Sequence, residues 1–116
     1  MHKQSSYQSG LIAEWRARWF LRFRGFRILK SRYITGRHTN RAEIDIIARR
    51  GNLIIFCEVK KRQSIESGFD AITFTQSARL RRAAETYISQ THWMGDARFD
   101  IIIICGRKTY WCPGKI

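Results

Sequence analysis

The sequence predicts an α/β fold in which a mixed β-sheet is flanked by helices, and three observations predict it. Apolar residues recur at the helical spacing near residues 11–24 and again near 74–90. Two β-rich runs flank Gly51-Asn52, a pair that favours the positive φ angles of a hairpin turn. Arg98 to Cys105 contains four consecutive isoleucines, a pattern typical of a strand buried on both faces. The predicted element order is α-β-β-β-α-β.

Composition limits the class of protein and its partners. At 116 residues with 44% apolar side chains, we expect one ordered domain, 1–116. The net charge of +13 favours a polyanionic partner, nucleic acid before an anionic membrane. Three cysteines lack the spacing of a metal site, which indicates free thiols in a reducing compartment. Without a long apolar segment, we expect a cytoplasmic protein that does not enter the membrane.

The first helix is predicted from Leu11 to Arg24, after a polar segment, residues 1–8, that we expect to be disordered. Gly25 stands at the usual position for a helix C-terminus. An apolar stripe with a four-residue repeat is predicted to pack into the core. Its members are Leu11, Trp15, Trp19 and Phe23.

Glu14 is the only acid in this helix. Its simplest explanation is an ion pair with Arg18 one turn later, worth a few tenths of a kcal/mol. The alternative is a role in a site.

A strand from Phe26 to Ile34 and a polar loop from Thr35 to Arg41 lead to the hairpin at residues 43–60. With Gly51-Asn52 as the turn, Ile46 faces Cys57 and Asp45 faces Glu58. One face of the hairpin is then apolar throughout. It comprises Ile44, Ile46, Ala48, Ile55, Cys57 and Val59.

The other face of the hairpin carries charged residues. Asp45 and Glu58 should lie about 4.5 Å apart at their Cα atoms, and two like charges there destabilise a sheet. Either a raised carboxylate pKa or a bound cation should offset that repulsion. Lys60 lies on the same face as Glu58 and opposite Glu43.

After the hairpin we expect a loop from Gln63 to Asp70 and a helix from Phe74 to Gln90. Thr73 followed by Gln76 fits the capping-box pattern, which explains Gln76 without any function. A site role is the alternative. Tyr110 to Cys112 could add an edge strand.

Seven basic residues near these segments are candidates for phosphate contacts. They are Arg37, Arg41, Lys61, Arg62, Arg79, Arg81 and Arg82.

These residues resemble a known nuclease superfamily. Asp45 followed by Glu58-Val59-Lys60 resembles the D-x(n)-E-x-K core of the PD-(D/E)xK nucleases. The stretches GFRIL, AEIDIIA, FCEVK and RFDIIII resemble the small bacterial YraN-type family, akin to archaeal Holliday junction resolvases. Two positions depart from the family pattern. Ala42 replaces a usual glycine, and Gln76 stands where closer relatives often carry lysine.

The resemblance implies a restriction-endonuclease-like α-β-β-β-α-β core and a metal-dependent DNA endonuclease, with branched or junction DNA as candidate substrates. It implies that Asp45, Glu58 and the carbonyl of Val59 bind Mg²⁺ or Mn²⁺, and that Lys60 acts on the attacking water. Catalytic roles for Glu14 and Gln76 are also implied. A homodimer is compatible with it, since junction resolvases cut two strands symmetrically.

Two other functions share the basic surface. One is a catalytically inactive nucleic-acid-binding module on a nuclease fold, and the other is a basic protein that packs on RNA. A close acid pair facing phosphate gives a pure binder no advantage, so the nuclease is the favoured hypothesis.

Overall fold

The computed structural model describes residues 6–36, 38, 41–114 and 116. The chain forms a five-stranded mixed sheet in the order β1-β2-β3-β4-β5, with helices on both faces. The predicted α/β class is confirmed, and the architecture is compatible with a restriction-endonuclease-like fold. The elements are α1 (Ser6–Arg22), β1 (Arg27–Thr35), β2 (Ala42–Arg50), β3 (Leu53–Lys61), α2 (Ile65–Asp70), α3 (Phe74–Thr91), β4 (Asp96–Cys105) and β5 (Lys108–Cys112).

The connection between β3 and β4 explains the mixed sheet. These two strands are parallel, and the other neighbouring pairs are antiparallel. A parallel pair requires a crossover of about a dozen residues or more, which α2 and α3 supply. Helix α1 packs on one face of the sheet and α3 on the other, so β4 is buried on both faces as predicted.

Helix α1 meets the sheet through small residues rather than through the predicted apolar stripe. The helix begins at Ser6, so residues 6–8 are helical, whereas the rest of the segment expected to be disordered lies outside the described residues. Its buried face contains Ala13, Ala17 and Leu21. These contact a sheet surface already filled by large side chains such as Ile102, so a helix with short side chains can approach closely. The prediction that Leu11, Trp15, Trp19 and Phe23 pack in the core is wrong, because all four are exposed.

The segment predicted as a loop between β3 and α3 contains the short helix α2. Ser64 caps its N-terminus by accepting a hydrogen bond from the N–H of Ser67 at 3.1 Å. Gly68 allows the helix to lie against β4, because a Cβ atom there would meet the Ile103 side chain at 2.7 Å. Thr73 caps α3 in the same way, as predicted.

The hairpin has the predicted register, but its two strands separate at one end. Pairing of β2 with β3 runs from Arg50 and Leu53 to Ile46 and Cys57. Beyond that point β2 remains paired with β1 as far as Ala42, and β3 remains paired with β4 as far as Lys61. The sheet therefore forks between its second and third strands, beginning at Asp45 and Glu58.

A change of face in β2 accompanies the fork. Ile46 packs on the α1 side, whereas Ile44, two residues earlier, packs on the α3 side. The prediction that Ile44 shares a face with Ile46 is therefore wrong. On β1, Arg32 lies between the residues that pair with these two and has a φ of 54°, a conformation that L side chains rarely adopt. The irregular residue of β1 therefore lies opposite the point at which β2 changes face.

Asp100 is a fully buried acid that ties the C-terminal region to the sheet. Its carboxylate accepts two hydrogen bonds from the Arg98 guanidinium, at 2.8 and 2.9 Å. Trp111 and the main chain of Gly114 donate to it as well. Both carboxylate oxygens of Asp100 therefore have hydrogen-bond donors within the chain, which indicates a structural role. Within the described part of the chain, no helix has the length and apolarity needed to cross a membrane.

Candidate active site

The fork between β2 and β3 opens into a cavity of about 380 Å³ at one end of the sheet. The N-terminal half of α1 forms one wall, and the diverging strands form the other. The lining residues are Ser9, Gly10, Ala13, Glu14, Asp45, Glu58, Val59, Lys60, Lys61 and Arg62.

Asp45 lies at the point where the strands part. Its Oδ2 accepts a hydrogen bond from the main-chain N–H of Val59 at 2.8 Å. In a continued antiparallel ladder, a β2 carbonyl would accept that bond instead. The side chain of Asp45 thus replaces the ladder, and it holds its carboxylate beside the backbone that follows Glu58.

Glu58 is buried and is held from two directions. Its Oε1 lies 3.0 Å from Nζ of Lys60 on the same strand. The same oxygen accepts a hydrogen bond at 3.1 Å from Nε2 of Gln76 on α3. The sequence predicts that Lys60 lies opposite Glu43, but β2 and β3 are no longer paired there. The Lys60 ammonium contacts Glu58 instead, and Oε2 of Glu43 lies 4.0 Å from Nη2 of Arg41.

Gln76 therefore donates two separate hydrogen bonds, one from its main chain and one from its side chain. Its main-chain N–H donates to Thr73 and completes the helix cap, while its side chain leaves the cap and reaches Glu58. The capping box accounts for the first contact only.

The pKa values of both acids are raised, as the sequence predicts for a close acid pair, but burial is the largest cause in each case. Burial is the main cause that raises the pKa of Asp45 well above its usual 3.8, and the charge of Glu58 raises it further. The Val59 N–H opposes this rise. Burial also raises the pKa of Glu58, although the charge of Lys60 and hydrogen bonds from Lys60 and Asp45 act against that effect. A bound cation would offset the burial of both acids, because it favours their charged forms.

Glu14 makes a contact that differs from the simple helical ion pair. Its Oε2 accepts a hydrogen bond from Nε of Arg32 on β1 at 2.8 Å, rather than from Arg18. Its side chain lines the same cavity as Asp45, and its charge contributes to raising the pKa of Asp45. Glu14 is therefore a third acid near the pair, already neutralised by an arginine.

These donors fit a hard divalent cation only in part. Asp45 and Glu58 place two carboxylates at the fork, and carboxylate oxygens are what Mg²⁺ and Mn²⁺ prefer. The part of the chain that the structure describes contains no group of three or more His, Cys, Asp or Glu residues arranged to hold a metal ion. Two carboxylates are compatible with Mg²⁺, which keeps several of its water ligands.

Comparison of the sequence with known proteins identifies the family of this chain. Residues 13–104 match the model of the family described as Uncharacterised protein family UPF0102. The chain belongs to the UPF0102 family. This is the YraN family, a group similar to the PD-(D/E)xK nucleases, and it confirms the family predicted from the sequence motifs.

Individual UPF0102 proteins align with most of the chain. The chain is 36% identical over 104 residues to a UPF0102 protein of Bartonella tribocorum, covering 88% of this chain and 77% of the relative. It is 39% identical over 106 residues to one of Bradyrhizobium diazoefficiens, covering 90% and 77%. A UPF0102 protein of a Chelativorans species is 34% identical over 110 residues, covering 93% and 86%.

The predicted basic residues of this UPF0102 chain that the structure describes divide into three groups. Lys61 and Arg62 line the cavity at the fork. Arg41 and Arg79 line a second cavity of about 260 Å³ together with Gln76, which reaches the site. Arg81 and Arg82 do not line either cavity, and Arg37 lies outside the described residues.

Arg81 and Arg82 lie farther along α3. Arg81 donates to the main chain of Ile116 and lies against the ring of Phe99. Arg82 lines a separate surface depression with Glu85 and Gln90. The structure therefore does not bring these two arginines to the acids.

Arg32 is the site residue that sequence reasoning missed. In the sequence, apolar and polar residues alternate imperfectly between Phe26 and Ile34, which is a weak signal that a residue there leaves the regular strand pattern. Nothing in the sequence connects that position to Glu14, because the contact spans 18 residues and two elements.

Proposed function

We propose that this UPF0102 protein is a metal-dependent endonuclease that hydrolyses phosphodiester bonds in DNA, with Mg²⁺ or Mn²⁺ as its cofactor. The observation that carries the proposal is the fork itself. Two acids with raised pKa values meet beside a lysine where the sheet opens, inside a strongly basic protein. A protein that only binds nucleic acid would lose affinity by presenting acids to phosphate.

Asp45, Glu58 and the main-chain carbonyl of Val59 would hold the cation. When bound, Mg²⁺ polarises the scissile phosphate and lowers the pKa of a coordinated water. The Val59 N–H fixes the orientation of the Asp45 carboxylate, and Gln76 together with Lys60 fixes that of Glu58. The cofactor would therefore meet ligands that are already positioned.

Lys60 would act on the attacking water. Its ammonium lies within hydrogen-bonding distance of Glu58 and lines the cavity, so it can donate to a water or a phosphate oxygen there. As an ammonium it orients water and stabilises negative charge, and it can accept a proton only after losing its own.

The DNA would cross the fork between two basic regions. Lys61 and Arg62 lie on the side of α1, and Arg41 and Arg79 lie on the side of α3. Each neutralised phosphate should contribute about 0.9 to the slope of log affinity against log salt on duplex DNA. Branched or junction DNA is a candidate substrate, a homodimer could cut two strands of it, and the cytoplasm is the proposed location.

The test is cleavage of linear and branched DNAs with and without Mg²⁺ or Mn²⁺. We expect metal-dependent products from the wild type and none from Asp45→Asn. Glu66→Gln is the matched control, because it also removes one acid but lies exposed on α2. Cleavage that survives in Asp45→Asn would contradict the proposal. Metal-independent DNA binding without cleavage of any of these DNAs would favour the inactive binding module.

A further inference from the structure

The outward face of α1 carries an apolar surface that the fold does not use. Trp15 is 55% exposed and Trp19 43%, on a helix whose opposite face is buried, and Phe23, directly after the helix, is 81% exposed. Leu11 and Ile12 extend this surface toward the helix N-terminus and are exposed as well. We call these five residues the aromatic stripe. Exposed apolar side chains grouped on one side of a helix mark a candidate binding site.

The exposed charges that helix α1 itself places around the aromatic stripe are positive. Arg22 places its guanidinium 5.0 Å from the ring centroid of Trp19. Arg16 and Arg18 are partly exposed on the same helix, and its one acid, Glu14, is buried against Arg32. Within residues 6–22, the accessible charged side chains are therefore arginines.

This charge pattern selects among possible occupants. A second copy packed on the stripe through the same helix would bring arginines against arginines, and like charges oppose that contact. A polyanion is attracted instead. Tryptophan rings beside arginines are the combination that binds single-stranded nucleic acid, because rings stack on unpaired bases while guanidinium groups neutralise phosphates.

We propose that the aromatic stripe binds an unpaired, single-stranded segment of DNA by stacking bases on Trp15 and Trp19. The N-terminal half of the same helix supplies Ser9, Gly10 and Glu14 to the cavity at the fork, so the stripe and the cavity share one element. The inference rests on the proposed function in taking DNA as the ligand. It assigns the substrate class, namely DNA that has an unpaired segment beside the bond to be cut.

Binding of a short oligothymidylate and of a matched duplex, both in EDTA, tests the stripe without any cleavage. We expect Trp15→Leu and Trp19→Leu each to weaken oligothymidylate binding by about tenfold, because stacking one base contributes roughly that much. Trp15→Phe and Trp19→Phe keep an aromatic ring and should retain most of the affinity. Duplex affinity should change little in all four variants, since its bases are already stacked.

The two leucine variants distinguish base stacking from other kinds of binding to an apolar surface. A membrane surface or a second copy would accept leucine in place of tryptophan, whereas a base would not. Met94→Ala, which removes a 93% exposed apolar side chain outside the stripe, should bind oligothymidylate like the wild type. Wild-type affinity in both leucine variants would overturn the inference, as would stripe-dependent binding to anionic vesicles but not to oligothymidylate.

The inference and the proposed function can fail separately. If oligothymidylate binding depends on the aromatic stripe but no DNA is cleaved with metal, the proposed nuclease activity is refuted and base binding by the stripe is supported. If wild type and both leucine variants cleave DNA with unpaired segments at the same metal-dependent rate, base binding by the stripe is refuted and the nuclease activity is supported.

Discussion

Arg32 on β1 donates a hydrogen bond from its Nε to Oε2 of Glu14 on α1, over 2.8 Å. Arg32 has a φ of 54° and faces the part of β2 where Asp45 leaves the regular ladder. The contact therefore connects the first helix, the first strand and the fork. It also keeps the third acid of the cavity bound to a positive charge of the protein itself.

This contact predicts an effect on metal binding. Arg32→Ala should tighten Mn²⁺ binding by about tenfold, because it removes a positive charge from the neighbourhood of the cation and leaves Glu14 available as a ligand. Titration calorimetry of the purified protein measures this affinity. Arg32→Gly accepts the positive φ at low cost and checks that backbone strain is not the cause.

Two controls make the interpretation specific. The gain should disappear in an Arg32→Ala, Glu14→Gln double variant, because the freed carboxylate is then missing. Arg18→Ala removes an arginine of the same helix that does not pair with Glu14 and should leave the affinity unchanged. Equal Mn²⁺ binding by wild type and Arg32→Ala would show that Arg32 does not restrain the site.

The acid pair predicts an unusual dependence of stability on pH. The folded-state pKa of Asp45 is raised above its usual 3.8, so the folded protein holds this proton more tightly than the unfolded chain does. The corresponding stability is present below pH 3.8 and is lost as the pH rises through the raised pKa. Asp45→Asn should remove this loss.

The measurement is urea unfolding of wild type and Asp45→Asn at a series of pH values in EDTA. The stability of the variant relative to the wild type should increase as the pH rises from 3.8 to neutrality. In a separate titration without EDTA, Mn²⁺ should bind the wild type more tightly as the pH rises, since cation and proton compete. A stability difference that is independent of pH would argue against a raised pKa at Asp45.

The two hydrogen bonds of Gln76 can be separated by mutation. Thr73→Ala removes only the α3 cap and should cost about 1 kcal/mol of the free energy of unfolding. Gln76→Ala keeps its main-chain N–H and hence the cap, but it loses the bond to Glu58. We therefore expect weaker metal binding in Gln76→Ala than in Thr73→Ala, with Gln76→Lys restoring a donor. The opposite ranking by calorimetry would assign Gln76 to the helix alone.

Lys60 provides the sharpest test of catalysis. Lys60→Ala should lower the cleavage rate by about 10²- to 10⁴-fold, the usual contribution of a group that acts on a proton, while metal binding persists. Lys61→Ala is the neighbouring control, and it should reduce DNA affinity and the salt slope by about one phosphate contact. Single-turnover cleavage at saturating enzyme distinguishes the two effects. An unchanged rate in Lys60→Ala would exclude a catalytic role for that side chain.

Local sequence determined the hairpin and the helix cap. Gly51-Asn52 sets the turn, and the alternation of apolar residues sets the register that places Asp45 and Glu58 at one end. Thr73 specifies the start of α3 by accepting a hydrogen bond from Gln76, only three residues later in the sequence. Features of this kind are predictable because the interacting residues are close in sequence or follow a strict period.

Tertiary packing decided which face of α1 is buried, where β2 changes face and how Glu14 is paired. The α1 pattern contains both an aromatic stripe and a small-residue face, and only the shape of the sheet surface selects the small face. The change of face at Ile44 and the contact from Arg32 to Glu14 depend on a neighbouring strand and helix. The free energies of such contacts come from surfaces that meet only after folding, and periodicity along one segment carries no information about them.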